Sequence, residues 1–326
     1  MLNGRMKQIV MPGRLVVVCN PKSSRFPIVQ RRVFARLDRA GLSYQQYEFG
    51  HERYGDAIVH LARFLQPSDT VLVAAGDGTA NSVLQAVRQS TAPNVRVGFL
   101  AFGNFNDAAH NFGRGLRGFR HYNPLQNPLY VLRNSTIQPI YPLVVERGGE
   151  TKAALISISL GWTAFVAAEF DSKLRDTLRH SISHLVTSLW HMLLLHRRTA
   201  RQYQLPAMHR NYRPIHRRET DVLCINSRSF AGIMRTGDSY GAGDTFLLRG
   251  FDARSFWRSL PFIVRSVLFG RMRGQAVASC HIAFMSTEKE YHVQVDGEPI
   301  TWLSDQPLVV RKSSRPIMVL CTRKLW

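Results

Sequence analysis

The first hundred residues alternate between two hydrophobic periods. Leu15 to Cys19 is an unbroken apolar, β-branched run that stops at Asn20-Pro21, and it predicts a buried strand. From Phe26 to Ala40 the apolar residues Ile28, Val29, Val33, Phe34 and Leu37 recur at helical spacing, with Pro27 suited to the first turn and Gly41 to the position after the last. Leu42 to Phe49 reads as a second extended segment, and Ala57, Ile58, Leu61, Ala62 and Leu65 mark a second helix closed by Pro67. A strand over Val71 to Ala75, a helix over Asn81 to Gln89 with Val83, Leu84 and Val87 inward, and a strand over Val95 to Leu100 follow. Strands separated by helices of this length predict parallel βαβ units, which bind ligands at the carboxyl ends of their strands.

The texture changes after about residue 130. Leu143 to Val145, Ala154 to Leu160, Val222 to Asn226, Thr245 to Arg249, His281 to Phe284, Tyr291 to Val295 and Leu308 to Arg311 are short, β-rich and spaced by turn residues. That spacing predicts an antiparallel sandwich. The stretch Ala153 to Ala168 is the longest uncharged candidate for a membrane span, but Ser157, Ser159 and Gly161 interrupt it and it reads as two buried strands. The basic N-terminus meets only a short apolar run with no small-residue cleavage site, so a signal peptide is not expected.

Composition adds one strong constraint. With 326 residues the chain suits about two domains of roughly 150 residues each. The hydrophobic fraction of 45% and charged fraction of 20% exclude disordered and fibrous classes. The 43 Lys and Arg against 22 Asp and Glu leave a net charge of +21, which predicts attraction to a polyanionic partner: nucleic acid, an anionic bilayer or a nucleotide. Cys19, Cys224, Cys280 and Cys321 are far apart and form no C-x-x-C pair, which fits a reducing cytosol.

Candidate chemistry sits at the strand ends. In Val71-Leu-Val-Ala-Ala-Gly76-Asp77-Gly78-Thr79-Ala-Asn81 a buried strand breaks into Gly-Asp-Gly-Thr before a helix, so that small residues let backbone N–H groups approach an anion. Gly76 and Gly78 would make the tight turn and the Thr79 hydroxyl would hydrogen-bond a phosphate. Taken alone, the segment is equally compatible with a plain strand-to-helix turn built on an Asx-type Asp77. Neither a Walker A lysine motif nor G-x-G-x-x-G is present. The next junction, Gly98-Phe-Leu-Ala-Phe-Gly103-Asn104-Phe-Asn106-Asp107, repeats the theme, and the first strand ends in Asn20-Pro21-Lys22-Ser23-Ser24. Three polar strand ends point at one cleft.

In order and spacing these segments resemble the diacylglycerol kinase catalytic family, which includes bacterial soluble lipid kinases and the sphingosine and ceramide kinases. Family members carry N-P-x-S-G, G-G-D-G-T and P-x-G-T-x-N-D where this chain has NPKSS, AGDGT and AFGNFND, and Asn226, Gly232, Asp244 and Val295-Asp296-Gly297-Glu298-Pro299 match later elements. The resemblance implies an α/β plus all-β fold: an N-terminal Rossmann-like nucleotide-binding domain over 1–134 and an antiparallel β-sandwich domain over 135–326. The sandwich would carry a basic helical insertion at 172–218, and segment 315–326 is a candidate to return to the first domain. The active site would lie in the cleft between the domains. ATP and Mg²⁺ are the implied cofactors. On that template Asn20, Ser23, Gly76, Asp77, Gly78, Thr79, Asn81, Gly103, Asn104, Asn106 and Asp107 bind the nucleotide. Glu298, with Asp296 beside it, is the catalytic carboxylate that takes the proton from a lipid hydroxyl. Asp244 would hold Mg²⁺ with the carbonyls of Gly241 and Phe246. The chain departs from the pattern at Ser24, Ala75, Ala101, Asn104 and Thr245, and none of these changes removes a charge that the chemistry requires.

Ser172 to Arg218 holds ten basic residues and one acid, Asp176. Within it Leu174, Leu178, Ile182, Leu185, Val186, Leu189, Trp190 and Leu193 share one helical face, as in a surface-docking amphipathic helix or, equally, a core helix with a basic edge. Arg201 to Arg218 reads as a basic loop. Phe256 to Arg273 has a similar basic and apolar mixture. His180, His184, His191 and His196 lack a third ligand or an H-E-x-x-H glutamate, so no zinc site is expected. The expected protein is a cytoplasmic lipid kinase, peripheral at an anionic membrane surface, acting on diacylglycerol, a sphingoid base or a related amphiphile. The alternatives are an NAD kinase-like enzyme, which shares a GDGT loop, and a non-catalytic nucleotide-dependent binder of membrane or nucleic acid. With no RNA- or DNA-binding signature, nucleic acid is not an expected partner.

Overall fold

The computed structural model describes residues 12–49, 54–103, 106–113, 123–147, 150–161, 164, 208–210, 213–214, 221–230, 234–236, 240–251, 261, 264–266, 268–270, 272, 274–284, 290–303 and 308–322. The chain divides into two units, 1–141 with 314–326, and 142–313.

The first unit is built on a six-stranded sheet. Strands β1 (Leu15–Cys19), β2 (Gln45–Glu48), β3 (Thr70–Ala74) and β4 (Arg96–Phe99) lie in the order β2-β1-β3-β4, all parallel. β1 and β3 are buried along their whole length, which is why they read as continuous apolar runs rather than alternating ones. The last strand, β20 (Ile317–Cys321), runs parallel to β4, and β5 (Thr136–Ile140) closes that edge antiparallel to β20. Because β1 connects to β2 on one side and lies beside β3 on the other, the strand order reverses between β1 and β3, where an open α/β sheet forms its ligand crevice.

The predicted helix over 26–40 forms as α1 (Phe26–Val29), a π-helical turn at Gln30–Phe34 and α2 (Ala35–Arg39), and Gly41 follows with φ +64°. α3 (Tyr54–Phe64) matches the second predicted helix, while α4 (Asp77–Gln89) begins four residues earlier than the periodicity suggests. α5 (Asp107–Phe112) and α6 (Pro128–Asn134) are too short to announce themselves by period, and α6 is capped by the Asn127 side chain, which accepts from Leu129 N at 3.1 Å. The first strand is fixed to the third at their starts: the Arg14 guanidinium donates from Nε and Nη2 to the two carboxylate oxygens of fully buried Asp69, at 3.0 and 2.7 Å. Such a forked, charge-assisted pair sets the register of two buried strands.

The second unit is a β-sandwich. One sheet has the order β10-β9-β16-β19-β6-β7, from β6 (Leu143–Arg147), β7 (Glu150–Ala154), β9 (Met208–Arg210), β10 (Arg213–Pro214), β16 (Ser279–Phe284) and β19 (Leu308–Lys312). The other has the order β15-β14-β11-β8-β17-β18, from β8 (Ser157–Gly161), β11 (Asp221–Ile225), β14 (Phe246–Phe251), β15 (Gln275–Val277), β17 (Glu290–Val295) and β18 (Glu298–Leu303). A short pair, β12 (Ser229–Phe230) and β13 (Met234–Arg235), stands apart. Alternate residues of both sheets, among them Leu143 and Val145, Ile158 and Leu160, Val222 and Cys224, Val293 and Val295, and Leu308 and Val310, form one core. The stretch from Ala153 divides into the end of β7 and all of β8, as its serines predict. Met208–Arg210 and Arg213–Pro214, read from sequence as part of a basic loop, instead form the antiparallel strands β9 and β10, and β9 extends the sheet from β16. The rest of the 172–218 block, with its histidine series up to His196, lies outside the described residues, as do Asn104 and Gly232.

Among the described residues no helix is long and apolar enough to cross a membrane. All four cysteines are free and buried; burial, the larger cause, and the Glu48 charge push the Cys19 thiol up to about 12, and burial does the same to Cys321.

Candidate active site

The ends of β1, β3 and β4 come together in the first unit, as their sequences predict. The loop after β1 is organised by its own polar residues. Asn20 Oδ1 accepts from Lys22 N at 2.9 Å, the Asn20 carbonyl accepts from Ser23 N at 3.0 Å, and Ser23 Oγ accepts from Arg25 N at 3.3 Å. From this loop the Arg25 guanidinium donates to the Gly103 carbonyl at 2.7 Å, tying the first strand end to the third.

The second and third strand ends touch backbone to backbone. A Cβ placed on Gly103 would lie 2.5 Å from Gly76 Cα, and one on Gly76 would lie 3.2 Å from Gly103 Cα. Glycine is required at position 103 because of this approach, its neighbour being main chain that cannot rotate away. Asn106 then holds the loop from inside: it adopts a left-handed conformation, φ 54°, its Oδ1 accepts from Gly103 N, and its Nδ2 donates to Gly103 O at 2.8 Å.

Asp77 supplies a further link. Its carboxylate accepts from Ala108 N at 3.3 Å and receives the amides of Asn106 and Asp107, so it caps the start of α5. Burial pushes this carboxyl up from its usual range, and the backbone N–H groups pull it back down. Gly76, Asp77 and Gly78 are half-buried, whereas Thr79 and Asn81 are buried, with Asn81 Oδ1 accepting from Gln85 Nε2 at 2.8 Å. The surface of the GDGT turn is therefore mostly backbone. Val73, Ala75, Phe99 and Leu100 floor a small crevice between these loops.

The second unit holds the other predicted residues. Asp296 and Gly297 are the two central residues of the β17–β18 hairpin, with φ 48° and 92°, the pattern of a type I′ turn. The Asp296 carboxylate accepts three backbone N–H bonds, from Leu155 at 2.6 Å and from Ile156 and Ser157 at 2.9 Å each. Its lone pairs serve the connection between β7 and β8. Glu298 opens β18, half-buried, one residue beyond the turn.

The same connection is gripped from its other side. Fully buried Asn226 donates from N to Ile156 O at 2.8 Å and from Nδ2 to Leu155 O at 3.1 Å, and its Oδ1 accepts from Lys312 Nζ. Lys312 also donates to the carbonyls of Tyr240 at 2.6 Å and Gly241 at 3.5 Å. Burial pushes its amine down to about 7, and the Asp244 carboxylate opposes that shift. Asp244 itself is exposed and Phe246 is fully buried at the start of β14.

A divalent ion held by Asp244 and the carbonyls of Gly241 and Phe246 does not fit this arrangement. Mg²⁺ needs an octahedral set of oxygens free to face it, and the Gly241 carbonyl faces an ammonium group. Among the described residues no group of three His, Cys, Asp or Glu could hold a metal ion. Sequence reasoning did not find Arg25 or Lys312: an arginine in a loop and a lysine ending a strand carry no motif.

Comparison with known proteins bears on the family resemblance and the fold. A family model of the diacylglycerol kinase catalytic domain matches residues 14–130. The diacylglycerol kinase of Staphylococcus saprophyticus is 34% identical over 110 residues, 32% of this chain and 33% of that protein. That of Staphylococcus haemolyticus is 34% identical over 104 residues, 31% and 29% respectively. The chain thus matches about a third of the length of these curated relatives. A solved structure of a candidate diacylglycerol kinase from Bacillus anthracis str. Sterne covers 96% of this chain and 98% of that one, with a TM-score of 0.65 at 16% identity. The fold, an α/β unit and a β-sandwich, is therefore shared with that solved chain. Over residues 14–130 the chain is similar to diacylglycerol kinase catalytic domains.

Proposed function

We propose that the protein is an ATP-dependent lipid kinase that phosphorylates a hydroxyl of diacylglycerol, a sphingoid base or a related amphiphile. The observation that carries this reading is the convergence of three strand-end loops at the β1–β3 reversal, locked by Arg25 on Gly103 and by Asp77 on Ala108. Such a set of turns presents backbone N–H groups to an anion, and the matched family uses these segments for its catalytic domain. Asn20, Ser23 and the backbone of Gly76 to Thr79 would hold the phosphates of ATP, and Gly103 would shape the loop beside them. Glu298 would accept the proton as the lipid oxygen forms its bond to the γ-phosphorus and the bond to the ADP oxygen breaks. Asp296, which accepts three backbone amides, would hold the hairpin that presents Glu298. No step is assigned to a metal at Asp244.

A lipid kinase must reach an interface, and one described segment supports that. Buried Ser266 accepts from Arg235 N and donates to Arg235 O, each at 3.0 Å, which turns Val264, Arg265, Leu268 and Phe269 outward. Leu268 and Phe269 are each 70% exposed, an apolar pair within a basic stretch.

Incubation of the full chain with γ-labelled Mg²⁺-ATP and fractionated lipid extracts is expected to label one lipid class. Glu298→Gln is expected to lower that transfer by a factor of about 100 or more while sparing nucleotide binding. Undiminished transfer would remove Glu298 from the role of base.

A further inference from the structure

We propose that the Lys312 ammonium is the resident cation of the second unit. It sits on the carbonyls of Tyr240 and Gly241, the second of which the resemblance assigned to a divalent ion with Asp244 and Phe246, and it organises the turn leading to Asp244 without bound metal.

The argument rests on how the acceptors are arranged. Among the described residues Lys312 Nζ is directed at Asn226 Oδ1, Tyr240 O and Gly241 O, acceptors that the N–H donors of an ammonium group suit. All three groups accept in these bonds, which favours the charged amine against the burial that pushes it down to about 7. The Asp244 carboxylate supplies the neighbouring negative charge. Two carbonyls, an amide oxygen and a nearby carboxylate are the oxygen types that hold a hard cation, and here a side chain of the same protein satisfies them.

The placement also gives the cation a structural reach that a bound ion would need several ligands to match. Lys312 ends β19 in one sheet of the sandwich. Asn226 follows β11 in the other, and its main-chain and side-chain N–H groups hold the carbonyls of Ile156 and Leu155. The amides of Leu155, Ile156 and Ser157 in turn hold the Asp296 carboxylate. One chain of hydrogen bonds therefore runs from the Tyr240–Gly241 turn through Lys312 and Asn226 to the hairpin preceding Glu298. Lys312 is a positioning residue, not a catalytic one.

The test uses the full-length protein free of nucleotide and lipid, so that its result does not depend on whether the kinase reading holds. Mn²⁺ binding is followed by electron paramagnetic resonance, and Tm is measured in EDTA and in millimolar Mg²⁺. Wild type is expected to show the same Tm in both and no Mn²⁺ site that Asp244→Asn abolishes. Lys312→Ala is expected to lose Tm in EDTA, to recover part of it in Mg²⁺, and to bind Mn²⁺ roughly tenfold or more tightly than wild type. The gained site should vanish in the Lys312→Ala, Asp244→Asn double variant. A wild-type Mn²⁺ site that depends on Asp244 would overturn the proposal, and so would a Lys312→Ala protein whose Tm no divalent ion restores or whose Tm equals that of wild type. If Lys312→Ala does not fold, the wild-type and Asp244→Asn Mn²⁺ titrations decide, and dependence on Asp244 is the overturning result.

Discussion

Gly103 and Asp77 show how much of this site is made by single atoms. Replacing Gly103 with alanine puts a methyl group 2.5 Å from Gly76 Cα, a contact that only backbone movement relieves. Gly103→Ala is expected to destabilise the first unit by about 2 kcal/mol or more and to weaken ATP binding. Gly55→Ala, on a helix where an added Cβ meets nothing within 4 Å, should leave both near wild type. Urea titration and nucleotide fluorescence measure the pair, and equal behaviour of the two variants would contradict the close approach. The glycines were visible in sequence as loop formers, but their mutual contact was not, because it joins residues 76 and 103 through space. Asp77 was legible as part of a GDGT turn, and its alternatives, phosphate loop or Asx-type turn, were both open. Its bonds to the amides of residues 106–108 assign it the task of joining two strand ends.

At the scale of elements the β17–β18 hairpin is the clearest lesson. Asp296-Gly297 is a two-residue turn of a kind that local sequence specifies strongly, since both residues need φ above zero. The resemblance draws attention to the same residues as a D-G-E motif, and the structure shows what Asp296 does there: it accepts the amides of Leu155, Ile156 and Ser157. Asp296→Ala removes the acceptor of three backbone amides and is expected to cost about 3 kcal/mol of stability. Glu298→Gln should leave the urea midpoint near wild type. An unchanged midpoint for Asp296→Ala would mean that the three amides find other partners. Unbroken apolar runs located β1 and β3, and helical period located α3. The short helices α5 and α6 escaped it, because six or seven residues complete fewer than two helical turns, too few to be distinguished from loops.

For the whole molecule the question is what the charge of +21 is for. The segment around Arg265, Leu268 and Phe269 offers a basic and apolar surface suited to an anionic bilayer. The protein is expected to float with vesicles containing phosphatidylglycerol, to release as salt rises, and to bind less when Leu268 and Phe269 are both changed to serine. Equal recovery on neutral vesicles would argue against an electrostatic contribution. By itself the sequence determined the alternation of strand and helix in the first unit, the β-rich second unit and the three polar strand ends, because these depend on period and on turn residues close in the chain. The resemblance offered 315–326 as a segment returning to the first domain, but only the tertiary structure decided that β20 pairs there with β4 and β5, and that Lys312 meets the carbonyls of Tyr240 and Gly241. Those outcomes depend on which strands become neighbours once each sheet assembles, and no local pattern of side chains encodes that.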